Sequence, residues 1–226
     1  MKSAHSIRKV AHGLLLLAGI VATSACVASN KPMALPDAKI DAPRTPGKEQ
    51  VAVFAGGCFW GIEAVFEHTR GVKRAESGYA GGSASTAQYE LVGSGRTGHA
   101  ESVRIVYDPA QVSYGQLLKV FFSVAHDPTQ LNRQGPDRGT QYRSGIFTTS
   151  ELQKKIATAY IAQLDGTRRF AQPIVTRVES LKAFYPAEDY HQDYARLNPN
   201  EPYIVINDAP KVVALQKLLP GLYRAH

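Results

Sequence analysis

Cysteine is nearly absent from this chain: 226 residues hold two, Cys26 and Cys58. An exported domain stapled by disulfides carries paired cysteines in its folded part, so that class is excluded. Membrane-length hydrophobic runs are missing as well. The strongest apolar stretch, "VAHGLLLLAGIVA", falls short of the ~20 residues a spanning helix needs. Clusters of basic residues interleaved with aromatics are also lacking. The formal charge is +7, but Lys2, Arg8 and Lys9 supply three of those charges and the +4 that remains is scattered. Nucleic acid is therefore not an expected partner. Seven histidines are present, yet His99, His126 and His191 lack paired ligand spacing, and no metal site is expected. "AEDYHQDY" reads as a solvated helix face. What composition does allow is a sizeable core, at 44% hydrophobic.

The amino end has the build of a targeting signal. "MKSAHSIRK" is positive, the apolar stretch follows, and "TSAC" offers small residues for cleavage. Residues 1–26 are thus set apart as a signal. "TSAC" also resembles a bacterial lipobox, with Cys26 as the residue to be lipidated and Thr23 where leucine is usual. Residues 27–48, rich in proline and free of aromatics, read as a flexible tether. The folded domain is expected over 49–226.

Within it, Val51–Ala55 is an apolar run suited to a buried strand, and Gly56 and Gly57 turn the chain into a helix carrying Ile62, Val65 and Phe66. "VKRAESGYAGG" and "HAESVRIVYDP" read as strands. Ser113 caps a helix whose apolar face is Leu117, Leu118, Phe121 and Val124. The polar stretch "HDPTQLNRQGPDRGTQYRSG" is longer than ordinary connections, a length that marks functional loops. "IFTT" is a strand, "SELQ" a capping box of Ser150 with Gln153 opening a helix to Asp165-Gly166, and "PIVTRVE" a last strand. Strand, helix, strand, strand, helix, strand, helix, strand predicts an α+β two-layer sandwich. Its helices pack on a mixed or antiparallel sheet, in a split βαβ arrangement.

Four positions carry chemical promise. Cys58 falls at a helix amino terminus within a glycine turn, where unpaired N–H groups favour thiolate; a packed, inert cysteine is the alternative. Phe59 and Trp60 point about 100° apart on a helix, so at most one faces fully inward and the other is free to wall a pocket. Glu101 lies in an apolar strand. Facing solvent it is ordinary; buried beside hydroxyls such as those of Tyr89 and Tyr142, it would hold its proton and serve as an acid.

"GGCFWG", "GYAGG", "GHAESVRIVYDP", "HDPTQ…NRQG.D.GTQYRS" and "FYPAEDYHQDY…NP", in that order, resemble the A-type peptide methionine sulfoxide reductases over about Val51–Pro199. The resemblance implies an α+β sandwich related to the ferredoxin-like arrangement. It implies thiol-dependent reduction of methionine S-sulfoxide, free and in proteins. Cys58 then matches the nucleophile, Phe59 and Trp60 the aromatic wall for the methyl group, and Glu101 the acid. Tyr89 and Tyr142 match the hydroxyls that hold the oxygen, and Asp137 an aspartate of the surround. Many members carry resolving cysteines near the carboxyl end. No cysteine follows Cys58 here, so the expectation is one catalytic cysteine. It would form a sulfenic acid met by an external thiol such as thioredoxin, glutaredoxin or dithiothreitol, with no bound cofactor. A monomer in the bacterial periplasm, touching a membrane only through a lipid on Cys26, completes the expectation. A cysteine hydrolase with a histidine base and a non-catalytic binding lipoprotein are the rivals; dependence on Glu101 and turnover separate them.

Overall fold

The structure, a computed structural model, describes Met1 and residues 31–226. The expected export signal, Cys26 and the start of the tether lie outside the described residues.

The apolar run forms β1 (Gln50–Gly56), buried at every residue from Ala52 onward. A strand covered on both faces has no need to alternate, hence its continuous hydrophobicity. It leads into α1 (Phe59–Glu67) and β2 (Val72–Ala80). A short α2 (Tyr89–Gly93) precedes β3 (Ala100–Tyr107) and α3 (Tyr114–Val120), which runs on as a π-helical turn. The long polar loop holds a small hairpin, β4 (Arg133–Gln134) with β5 (Asp137–Arg138). Then come β6 (Ser144–Thr148), α4 (Glu151–Thr167), β7 (Arg177–Ser180) and β8 (Phe184–Pro186). The chain closes with α5 (Tyr194–Leu197), a π-helical turn at Ile204–Asp208 and α6 (Ala209–Leu218).

The main sheet runs β7-β6-β1-β3-β2-β8. Its four central strands pair antiparallel and, with α1 and α3 as crossovers, make the split βαβ order; β7 alone joins in parallel, on β6. On the helix-covered face Phe54 stacks on Phe121 at 4.9 Å and meets Phe66 at 5.6 Å. On the other face a smaller group, Val53, Ala55, Ala80, Ala100 and Phe147, is buried. The expected α+β sandwich is what forms.

The capping signals are read in the structure with one change. Ser113 makes the full reciprocal box with Gln116. Ser150 Oγ accepts from Gln153 N, but the Gln153 carboxamide turns to Val51 O and Thr149 N, tying α4 to β1 instead of closing the box. Of "PIVTRVE" only Arg177 onward is strand. Ile174 N and Val175 N donate to the Asp165 carboxylate and Pro128 O, away from the sheet.

The tether needs a larger correction. From Lys31 to about Arg44 it is a strap laid on α3 and α4. Leu35 is buried in the main core. Met33 N donates to Ser123 O and Tyr160 Oη to Pro36 O. The Asp41 carboxylate accepts from Gly115 N at 2.7 Å and from Ser113 Oγ, a favourable anion at the amino end of α3. One buried leucine and a handful of backbone bonds suffice to dock a segment whose composition looks like a linker.

Candidate active site

β1 ends against α1 through a turn that requires glycine. Gly57 has φ +99°, and a Cβ there would stand 2.5 Å from the Gln134 side chain. Cys58 is the N-cap of α1, 9% exposed, with the Trp60 N–H directed at its sulfur. Glu101 comes from β3, opposite Tyr79 of β2, and is 3% exposed. Its Oε2 accepts from Phe59 N at 3.1 Å. The thiol and the carboxyl, distant in sequence, are therefore one peptide unit apart in space.

Burial decides the protonation of both. It lifts the Glu101 carboxyl to about 8, against the pull of the Phe59 N–H and with help from the Asp137 and Asp208 charges. The acid is mostly protonated at neutral pH. Burial also raises the Cys58 thiol well above its usual range, reinforced by Glu101 and Asp208. The Trp60 N–H and the Lys211 charge act in the opposite direction and lose. This corrects the expectation of a thiolate favoured by the helix terminus: the resting pair is thiol and carboxylic acid.

Cys58 opens on a cavity of about 130 Å³ shared with Gln134, Asp137, Tyr203, Asn207 and Lys211. Glu101, Tyr89, Tyr142 and Trp60 do not line this cavity, although both phenols lie close enough to Glu101 and Cys58 to feel their charges. Burial raises the Tyr89 phenol to about 12, with Glu101 and Cys58 adding to it, and lifts Tyr142 through burial, Glu101 and Asp137. Both stay protonated and able to donate. Asp137 accepts from Tyr203 Oη at 2.5 Å. Phe59 is 1% exposed and packs behind the site against His191 and Tyr79. Trp60 is half-buried, stacked on Tyr194 at 3.8 Å and edge-on to Tyr203. One ring faces in and one remains at the surface, as their helical spacing predicts.

Several supports escaped sequence reasoning. His191 is buried and its Nδ1 accepts from Trp60 Nε1 at 3.2 Å, so "AEDYHQDY" is a backing for the tryptophan and not a solvated face. Glu188 accepts from Tyr89 N and Tyr79 Oη, fixing the start of α2. Buried Arg143 donates to Gly98 O, His99 O and Thr140 O, clamping the Tyr142 loop to the strand that bears Glu101. Asp208 and Lys211 form an ion pair beside α1. The only sequence signal for them was polarity in otherwise apolar surroundings.

A split βαβ sheet that buries a helix-capping thiol near a carboxyl held in its protonated form defines the class: an α+β protein with a buried thiol and acid close together. The comparisons narrow this further. The family model described as "Peptide methionine sulfoxide reductase" matches residues 50–219, and the chain belongs to that family, in its A-type branch. A Mesorhizobium japonicum protein called peptide methionine sulfoxide reductase MsrA 2 is 61% identical over 184 residues, 81% of this chain and 94% of that one. The Deinococcus radiodurans MsrA is 50% identical over 173 residues, 76% and 84% of the two chains. Among solved structures, methionine sulfoxide reductase A of Corynebacterium diphtheriae matches with TM-score 0.59 and 36% identity, covering 76% of this chain and 85% of that one. Reduced Mxr1 from Saccharomyces cerevisiae gives 0.61 and 34%, covering 72% and 92%. The chain is accordingly an oxidoreductase acting on sulfur, a reducer of methionine sulfoxide in the service of repair.

Proposed function

We propose that this chain reduces the S epimer of methionine sulfoxide, free and in proteins, through Cys58 as nucleophile and Glu101 as acid. The observation that carries the reading is the Phe59 N–H bond to Glu101, which sets a neutral carboxyl beside a thiol. Sulfoxide oxygen is a poor leaving group until protonated. Glu101 gives it a proton, Cys58 Sγ attacks the substrate sulfur, and the thiol proton passes to Glu101. The oxygen then transfers to Sγ: methionine leaves, reduced by two electrons, and Cys58 becomes a sulfenic acid, oxidised by two. Tyr89 and Tyr142 hold the oxygen and Trp60 walls the methyl group, with Phe59 stiffening that wall from behind. Asp137 orders Tyr203 at the mouth. A dabsylated methionine sulfoxide with dithiothreitol tests this: methionine should form, and turnover that survives Cys58→Ser would reject it.

With one catalytic cysteine, regeneration draws on an external thiol, of thioredoxin, glutaredoxin or small-molecule type, and needs no bound cofactor or metal. The signal-like start and "TSAC" support export to a bacterial periplasm with a lipid on Cys26, and the working unit is a monomer. Mass spectrometry of the mature amino terminus tests the anchor; an unmodified cysteine there would remove it.

A further inference from the structure

Cys58 shares its cavity with an ammonium group. Lys211 extends from α6 to the first turn of α1, where a Cβ on Gly61 would stand 2.7 Å from Nζ. The same missing side chain admits Asp208, whose Oδ1 would be 2.1 Å from that Cβ. Lys211 Nζ donates to Asp208 Oδ1 at 2.9 Å, while Asp208 is 0% exposed and its Oδ2 has no hydrogen-bond partner. A buried ion pair gains little stability over apolar packing, because desolvation of both charges offsets their attraction. An orphaned carboxylate oxygen makes this one costlier still. Stability therefore does not explain a lysine and an aspartate placed beside the thiol. Sulfenic acids, besides meeting thiols, condense with backbone nitrogen to sulfenamides; a deprotonated amine is a stronger nucleophile than an amide, and no second cysteine is found among the described residues.

We propose that Lys211 is the resolving group: its amine condenses with the Cys58 sulfenic acid to form a Cys58–Lys211 sulfenamide. This rests on the sulfenic acid chemistry assigned to Cys58 above. Nζ yields a proton to Asp208 and attacks Sγ; an S–N bond forms as the S–O bond breaks. The ammonium loses two protons in all, one departing with the oxygen as water and one staying on Asp208. Burial raises the Asp208 carboxyl and so favours that neutral product. Sulfur keeps its oxidation level, so no oxidant enters. An external thiol then attacks Sγ, the S–N bond breaks, nitrogen regains a proton, and a second thiol clears the mixed disulfide. The bridge keeps the oxidised sulfur from climbing to sulfinic acid while a reductant is awaited.

The test uses the full chain carrying Cys26→Ser, given one equivalent of methionine sulfoxide without reductant. Methionine release and intact mass are read separately. The expected protein is lighter than the reduced form by two hydrogens, with the Cys58 and Lys211 peptides joined and parted again by dithiothreitol. Lys211→Arg should instead gain the mass of one oxygen. A wild-type product carrying that oxygen and no cross-link overturns the proposal. So does a two-hydrogen loss that persists in Lys211→Arg. Should no methionine form, the reading of Cys58 as reductase nucleophile fails by itself. One equivalent of hydrogen peroxide then makes the sulfenic acid directly, and the same masses decide the cross-link.

Discussion

Phe59 N donates to Glu101 Oε2 at 3.1 Å, so the residue that follows the thiol in sequence also holds the acid in place. Glutamine at 101 would accept the same bond but could not release a proton. Glu101→Gln should lower the rate of methionine formation by about 10²–10⁴, the usual worth of a general acid. Single-turnover assays of methionine release read this directly.

The same substitution should stabilise the fold. A buried carboxyl lifted from its ordinary range to about 8 binds its proton more tightly folded than unfolded. Stability is then lost as pH rises between those two values. At pH 7 the cost is about 3 kcal/mol, which Gln escapes. Denaturant unfolding should find Glu101→Gln more stable than the parent at pH 8 and equal to it near pH 4. Equal stability at both would show that the carboxyl is not desolvated.

Catalysis follows the same titration with a definite sign. The active form carries the proton, so methionine release should be level below pH 7 and fall about tenfold per pH unit above 8. A rate that instead climbs through pH 8 would mean that thiolate formation, not acid strength, limits the reaction.

Trp60 stacks on Tyr194 and is pinned by His191. Trp60→Ala removes the exposed part of the methyl wall, and kcat/KM should drop by about tenfold or more, or ~1.4 kcal/mol of lost binding. His191→Phe keeps the packing but not the bond to the indole, and should give a smaller loss, seen in KM.

The strap makes a prediction remote from the chemistry. Leu35→Ala should cost about 2–5 kcal/mol, as for other buried leucines, and Asp41→Ala about 1 kcal/mol through the cap of α3. Thermal unfolding measures both. Were residues 31–44 the loose tether their composition suggests, neither change would move the midpoint.

Sequence was most legible where causes are local. Ser113 next to an apolar helical face announced its cap, and the unbroken run Val51–Ala55 announced a buried strand, of which all but Val51 is buried. Gly56-Gly57-Cys58 announced a strand-to-helix turn, while Glu101 stood out as a charge inside an apolar strand. Illegible parts depend on distant partners. Arg143 looks like any loop arginine until the carbonyls of Gly98 and His99 surround it. The Gln153 side chain abandons its local box because Val51 O lies within reach. Leu35 is one apolar residue among prolines, and nothing near it reveals the Ser123 and Tyr160 bonds that seat it. The thiol's protonation is hidden for the same reason: the helix terminus is visible in sequence, whereas the burial that overrules it is not.

The docked strap also fixes geography. Lys31 and Pro32 border a recess whose wall includes Gln134 and Lys211, two residues that also border the cavity of Cys58. The strap and the catalytic cavity thus share walls, so a change that loosens Leu35 or Asp41 would be felt at Gln134 and Lys211, beside Cys58.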